Sequence, residues 1–285
     1  MSENNNFSNS PQNGEGRKRP YYPPPNEAFM VLVAALVSAL IIGTALATLG
    51  KGGVFLLEGL FLIPPLIYLH LKRYNIKRCM RWNTVTLPQI FTALLIGLAL
   101  IVLLDEADRL INIFFPMPAE LQELLKDYLK PETFSDYVIL FTGTVIMAAI
   151  CEESLFRGFI QVSMEAYGGI TRAVLFSALL FALAHFNPWW MVQILLLGVF
   201  LGFISWRSNS AIPSICVHGL NNALALLSGG TIEGEEWAWY NSGKHVAPTV
   251  LIASAALLFI GIRLFLRTTE ITFPKETVAN ETAPD

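Results

Sequence analysis

Apolar positions along this chain come in long runs that repeat from residue 28 almost to the end. Each run has about 17–25 residues, the length an α-helix needs to cross roughly 30 Å of hydrocarbon. Eight such runs cover residues 28–48, 53–71, 87–104, 137–161, 170–186, 189–206, 211–228 and 246–266. The pattern therefore predicts an all-α fold, a polytopic membrane helix bundle with about eight transmembrane helices.

Composition supports this prediction and argues against a nucleic acid partner. The 285 residues are 54% hydrophobic and only 14% charged, whereas soluble domains carry about 25% charged residues. The net charge is −3 and the basic residues are scattered at segment ends, so we expect no nucleic acid partner. The three cysteines form no CxxC pair, so we expect neither disulfides nor a cysteine-based zinc site.

The distribution of basic residues predicts the orientation of the bundle. With the N-terminus in the cytoplasm, 14 of the 19 lysines and arginines fall on the cytoplasmic side and 5 on the outer side. Cytoplasmic loops are the ones enriched in Lys and Arg. Eight spans with both termini in the cytoplasm fit this bias.

The segments outside the runs complete the predicted organisation. Residues 1–26 are rich in Asn, Ser, Gly and Pro, a composition typical of a disordered cytoplasmic tail. Within 106–134, leucines at helical spacing predict an amphipathic helix on the outer face, or a solvated helix packed on another loop. The resulting divisions are the tail, N-terminal spans with the amphipathic segment (27–136), a core (137–229), and a last span with a short cytoplasmic tail (230–285).

Ionisable and amide side chains recur in three consecutive runs. Such groups are costly in hydrocarbon and usually functional. Glu153 and Arg157 are i,i+4 neighbours on a helix and are expected to pair. Glu152 is rotated about 100° from Glu153, which leaves it free to act as a general base. The alternative is that these residues only mark the end of a span.

The next two runs supply His185 and then His218 with Asn222. His218 and Asn222 are again i,i+4 and can both donate to an oxyanion, although a hydrogen bond between helices is an equally good explanation. His185 taken alone is more typical of a packing residue. By helical rise it also lies deeper than the other site residues. Two histidines and a free glutamate can position a water molecule directly or through a metal, and the spacing does not decide which.

The motifs EExxxR at Glu152–Arg157, FxxxH at Phe181–His185 and HxxxN at His218–Asn222 occur in this order on successive runs. In this order they resemble the CPBP family of intramembrane proteases, which includes type II CAAX prenyl endopeptidases and bacteriocin self-immunity proteins. The resemblance covers about Val138 to Gly229, and the first half of the chain contributes nothing to it.

The resemblance implies a role for each matching residue. Glu152 would activate water as general base, His185 would help hold that water, and His218 with Asn222 would stabilise the oxyanion. Glu153 and Arg157 would be structural support. A metal-dependent mechanism and a metal-free glutamate mechanism are both ascribed to the family. A divalent metal such as zinc would be held in this chain by Glu152, His185 and His218.

The expected function is an intramembrane endopeptidase that cleaves near the cytoplasmic face, with CAAX-type C-terminal processing as one form. Its partners would be membrane lipid and a membrane-associated or lipidated substrate. The short tail and compact loops favour a prokaryotic plasma membrane. Two alternatives stay open: a transporter or proton relay that uses the same buried groups, and a non-catalytic immunity or scaffold protein.

Overall fold

A computed structural model describes residues 21–228 and 237–269 of the chain. Apart from a short 3₁₀ turn at Ala47–Leu49 and one small β-hairpin, the regular structure in these ranges is helical. The helices are α1 (Pro25–Leu46), α2 (Lys51–Leu71), α3 (Ile76–Cys79), α4 (Leu87–Phe114), α5 (Ala119–Leu129), α6 (Phe134–Tyr167), α7 (Ile170–Ala184), α8 (Met191–Ser208), α9 (Ile212–Leu227) and α10 (Pro248–Thr268). The hairpin pairs β1 (Asn241–Ser242) with β2 (His245–Val246) in antiparallel register.

Each of the eight predicted apolar runs corresponds to a helix. In the described ranges, six helices are long and apolar enough to cross a membrane: α1, α2, α4, α6, α8 and α10. The apolar helices α7 and α9 are shorter, with 15 and 16 residues. The protein is therefore an all-α integral membrane bundle, as predicted. The number of spans and the side on which the termini lie stay predictions.

Helix α4 is longer than its apolar run. It continues past residue 104 to Phe114, so the first part of the stretch predicted as non-spanning is the end of α4. The predicted amphipathic helix is α5, whose Leu121 and Leu125 are half-buried whereas Leu124 is 64% exposed. The apolar face of α5 is thus only partly covered by protein.

The structure describes only the last residues of the predicted tail. Residues 1–20 lie outside the described residues, but the chain just before α1 packs on the bundle. Ser163 donates a hydrogen bond to the carbonyl of Pro23 (2.7 Å), and the Tyr167 hydroxyl donates to the carbonyl of Tyr22 (3.2 Å). These contacts tie the chain to α6 before α1 begins, and the disordered tail over residues 1–26 stays a prediction.

Two apolar cores hold the bundle together. The first joins α1, α2, α3, α6 and α7 and includes Cys151 and Phe181. The second joins α4, α8, α9 and α10 and includes Val217. Cys151 of the first core precedes Glu152, and Val217 of the second core precedes His218. Glu152 and His218 therefore lie where the two cores adjoin.

Close approach at two glycines sets the position of α6. A Cβ atom on Gly158 would lie 2.5 Å from the carbonyl oxygen of Met80, a distance that real Cβ atoms do not reach. A Cβ atom on Gly198 of α8 would lie 3.2 Å from the Cα of Ala178 on α7. Small residues at such contacts let membrane helices approach each other closely. Both glycines therefore bring neighbouring segments against the part of α6 that carries Arg157.

A buried ion pair fixes the far end of α6. Arg81 donates two hydrogen bonds to Glu165, of 2.9 and 2.7 Å, and both side chains are buried. Gln161 donates to the same carboxylate (2.8 Å) and to the carbonyl of Gly202 on α8 (3.0 Å). Bidentate pairing of this kind is geometrically specific, so it ties the loop after α3, α6 and α8 to one another.

Helix α6 is interrupted by two π-helical segments, Phe141–Met147 and Ser154–Ile160. In a π segment each backbone N–H donates to the carbonyl five residues earlier, as Ala148 does to Gly143. Such segments are rare and are frequently found at functional sites. Only the six α-helical residues Ala148–Glu153 separate the two.

The β-hairpin packs on the C-terminal part of α4 through a polar group of side chains, here called the hairpin cluster. The Tyr240 hydroxyl donates to Asp105 (2.7 Å), and Arg109 pairs with the same carboxylate (3.1 Å). Glu106 accepts from His245 Nδ1 (2.8 Å) and from a backbone N–H of the hairpin (2.7 Å). The hairpin cluster comprises Asp105, Glu106, Arg109, Tyr240 and His245.

Candidate active site

The predicted site residues come from three consecutive helices. Glu152 and Glu153 lie on α6 between its two π segments. His185 is the C-cap residue of α7, and His218 with Asn222 lies on α9. The structure brings Glu152, His185 and His218 together in one place.

Glu153 is the centre of a buried network. Its carboxylate lies 2.9 Å from Arg157 Nη1, and neither side chain is exposed, which confirms the predicted i,i+4 pair. Glu153 also accepts a hydrogen bond from His218 Nδ1 (3.0 Å), an interaction between helices that the sequence did not predict. Arg157 donates to the carbonyl of Gly198 (3.3 Å) and stacks 4.1 Å from the centre of the Phe181 ring. The network therefore fixes the position of the His218 ring.

His185 is fixed by the backbone of its own helix. The carbonyl of Phe181 can only accept, so His185 Nδ1 carries the proton of their 2.8 Å hydrogen bond. The Phe181 ring meets both imidazoles edge to face, with centroids 4.7 Å from that of His185 and 5.8 Å from that of His218. Since Nδ1 of each histidine is occupied, Nε2 of each is the atom left for chemistry.

Both Nε2 atoms face the same carboxylate oxygen. Glu152 Oε2 lies 3.9 Å from His185 Nε2 and 4.0 Å from His218 Nε2. These distances are too long for direct hydrogen bonds, and a separation of this size suits one bridging water molecule. Glu152 Oε2 is buried and accepts no hydrogen bond from the residues that the structure describes. A water molecule placed here would contact one acceptor and two imidazole nitrogens.

Asn222 is bound to α6 rather than to the other candidates. Its Nδ2 donates to the carbonyl of Thr144 in the first π segment (2.8 Å), and its Oδ1 accepts from Asn221 (3.2 Å). In the described part of the chain, no hydrogen bond joins Asn222 to the other three predicted catalytic residues. An amide nitrogen has two N–H groups, so one remains for a second acceptor.

The arrangement does not fit a metal site formed by Glu152, His185 and His218. Ligand nitrogen and oxygen atoms lie about 2.0–2.2 Å from zinc, which places two ligands of one tetrahedral ion roughly 3.3–3.5 Å apart. The observed separations of 3.9 and 4.0 Å are wider. Across the described ranges, no group of three or more His, Cys, Asp or Glu side chains is placed to hold a metal ion.

Two further residues contact this region from outside the motifs. The Trp82 indole N–H donates to the hydroxyl of Ser154 (2.8 Å), the residue after Glu153. The carboxyl group of Glu58, on α2, lies within electrostatic and hydrogen-bonding reach of that of Glu152. An ionisable residue inside an apolar run was a signal for Glu58, whereas nothing in the sequence connects Trp82 with Ser154.

Comparison with known families agrees with the motifs. Residues 134–224 match the family model described as Type II CAAX prenyl endopeptidase Rce1-like. The matched range begins at the first residue of α6 and contains all three motifs, which confirms the predicted resemblance to the CPBP family. The match supports protease activity in a membrane, on a protein substrate. No curated protein and no solved structure matches the chain.

Proposed function

We propose that this protein is an intramembrane endopeptidase in which Glu152 activates the attacking water. The observation that carries the proposal is the position of Glu152 Oε2, 3.9 and 4.0 Å from the Nε2 atoms of His185 and His218. A buried carboxylate beside two oriented imidazoles suits general-base catalysis of hydrolysis. The family match at residues 134–224 supports the same reaction class.

In the proposed reaction, a water molecule bridges Glu152 and His185. Glu152 takes one proton from it as the water oxygen forms a bond to the carbonyl carbon of the scissile peptide. The carbonyl π electrons move to the oxygen and give a tetrahedral oxyanion. When this intermediate collapses, the C–N bond breaks and the leaving amine takes the proton from Glu152. No step requires a metal.

His218 and Asn222 are the proposed donors to the oxyanion. His218 Nε2 lies next to Glu152, and Glu153 accepts a hydrogen bond from Nδ1, so His218 donates to the oxyanion through Nε2 in the form in which both ring nitrogens carry a proton. Asn222 retains a second N–H beyond its bond to Thr144. Preorganised donors in a water-poor site are worth about 2.7–4 kcal/mol each to the transition state.

The substrate is proposed to be a membrane-associated protein, lipidated or not, cleaved close to the cytoplasmic face. CAAX-type C-terminal processing is one form of this reaction, and a host without prenylation would require another substrate. The charge bias supports eight spans with both termini in the cytoplasm. The compact loops between the predicted spans favour a prokaryotic plasma membrane.

The proposal is tested by mass spectrometry of membrane peptides from cells that contain the wild-type protein or Glu152→Ala. New C-termini should appear with the wild type and be absent with Glu152→Ala, at equal amounts of inserted protein. Identical peptide profiles in the two samples would contradict the proposal. Glu106→Ala is the matched control, since it removes a carboxylate from the hairpin cluster and should leave the profile of the wild type.

A further inference from the structure

Helix α2 lies outside the matched range and carries one carboxyl group in an otherwise apolar stretch, that of Glu58. Its neighbours along the helix are Leu56, Leu57, Gly59 and Leu60. A carboxyl group at such a position is costly to keep in hydrocarbon. Packing alone therefore does not explain why a carboxyl group is present at position 58.

The contacts of Glu58 point to Glu152. Helix α2 packs against α6 at the first π segment and at the short α-helical stretch that follows it. There the carboxyl group of Glu58 lies within electrostatic and hydrogen-bonding reach of that of Glu152. Cys151, next to Glu152, lies within electrostatic reach of both carboxyl groups. Within the described ranges, no Lys, Arg or His forms an ion pair with Glu58.

We propose that Glu58 is a positioning residue, which holds the Glu152 carboxyl group with its Oε2 facing His185 and His218. Two carboxyl groups can share a hydrogen bond when one of them carries the proton. Glu152 then has the support of a fixed partner, as Glu153 has in Arg157. Without Glu58, the Glu152 side chain is free to turn away from the two imidazoles.

The inference rests on the proposed function, because positioning matters only if Glu152 takes part in hydrolysis. It assigns a role to α2, which lies outside the residues matched by the family model. It also explains why Glu152 remains oriented although its Oε2 accepts no hydrogen bond within the described residues.

The first test compares Glu58→Ala and Glu58→Gln in a cleavage assay with purified protein in detergent. Glu58→Ala should lower kcat by as much as about 100-fold with KM unchanged, because the reacting group is misplaced while substrate binding is not altered. Glu58→Gln should restore most of the activity, since its amide N–H can donate to the Glu152 carboxylate. Ile63→Ala, at an exposed position of the same helix, is the control and should match the wild type.

Two outcomes of this test overturn the inference. One is wild-type kcat in Glu58→Ala. The other is a Glu58→Gln protein as inactive as Glu58→Ala, which would show that hydrogen-bond donation is not what Glu58 provides.

The second test needs no activity and separates this inference from the proposed function. Melting temperatures are measured for the wild type, Glu58→Gln, Glu152→Gln and the double variant. Residues in contact give non-additive effects, so the shift caused by Glu58→Gln should differ when position 152 is already Gln. Additive shifts overturn the inference even if the protein cleaves. A non-additive cycle without any Glu152-dependent cleavage would contradict the proposed function instead.

Discussion

The pair Glu153–Arg157 and the pair Asp105–Arg109 have the same chemistry and the same i,i+4 spacing in two regions of the molecule. Their shortest nitrogen–oxygen distances are also alike, at 2.9 and 3.1 Å. They differ in solvent access, since neither side chain of the first pair is exposed, whereas those of Asp105 and Arg109 are 28% and 16% exposed. The same sequence pattern therefore carries different energetic weight in the two regions.

Each pair has a neighbouring glutamate, and here the contrast is sharper. Glu106 accepts hydrogen bonds of 2.8 and 2.7 Å from the hairpin. Glu152 instead stands 3.9 and 4.0 Å from two histidines, and its Oε2 is buried without a donor among the described residues. A polar cluster with its acceptors satisfied stabilises the fold, whereas a buried acceptor left available is suited to chemistry.

The largest expected effect comes from the same substitution made in both regions. Glu152→Gln should lower cleavage by about 10²–10⁴-fold, the usual contribution of a general base, because an amide cannot take the proton from water. Glu106→Gln should leave the cleavage rate unchanged. The rate of peptide release by the two purified variants checks this. Comparable losses of cleavage rate in both variants would show that Glu152 and Glu106 do not differ in function.

The two arginines provide a comparison of stability. Arg157→Met leaves Glu153 charged, buried and without its cation, so we expect a loss of about 3–5 kcal/mol in the free energy of unfolding. Arg109→Met removes a partly exposed pair and should cost only about 0.2–1 kcal/mol. Denaturant unfolding in detergent, followed by tryptophan fluorescence, measures both values. Equal losses would mean that burial does not distinguish the pairs.

A smaller effect is expected where the hairpin meets α4. Glu106→Leu removes the acceptor of His245 and of the hairpin backbone, and it should lower stability by about 1–3 kcal/mol. Limited proteolysis should then cut the hairpin faster than in the wild type. Glu132→Leu, an exposed carboxylate beyond the cluster, is the control and should leave the cutting rate unaltered. An unaltered rate in Glu106→Leu would show that the hairpin is held by other contacts.

The smallest effect depends on pH. Burial, followed by the hydrogen bond to Asp105, raises the pKa of Tyr240 above its ordinary value. A raised pKa stabilises the fold below the ordinary tyrosine pKa of about 10, and this stabilisation is lost as the pH rises through the folded-state pKa. At neutral pH, Tyr240→Phe should therefore lower the melting temperature, by the equivalent of about 1 kcal/mol. The difference from the wild type should shrink in alkaline buffer, and a difference that grows there would contradict the assignment.

The helices and part of the site could be predicted because they depend on local pattern. Apolar runs long enough for the membrane give helices at all eight predicted places. The i,i+4 spacing of Glu153 and Arg157 gives their ion pair directly. Such contacts need only the geometry of one helix, which the sequence specifies.

Contacts between helices could not be predicted in the same way. His218 reaches Glu153 across 65 positions of sequence, and Glu58 reaches Glu152 from another helix. The depth of His185, counted along an ideal helix, separated it from Glu152. In the structure α7 ends at Ala184, and the side chain of the capping residue His185 comes within 3.9 Å of that carboxylate. These distances depend on how helices pack, which periodicity does not encode.

The two π segments of α6 also bear on how this helix can change length. Each holds more residues per turn than an α-helix, so deletion of one residue can convert it to ordinary helix with little disturbance outside the segment. The flanking residues would keep their directions, because the wide turn absorbs a residue whose loss from an ordinary α-helix would turn one side by about 100° relative to the other. A deletion at Phe141–Met147 or Ser154–Ile160 would thus leave Glu152 and Glu153 facing the same neighbours, whereas a deletion in the α-helical stretch Ala148–Glu153 would re-aim them. In this protein, the orientation of the two glutamates is set by residue count as much as by residue type.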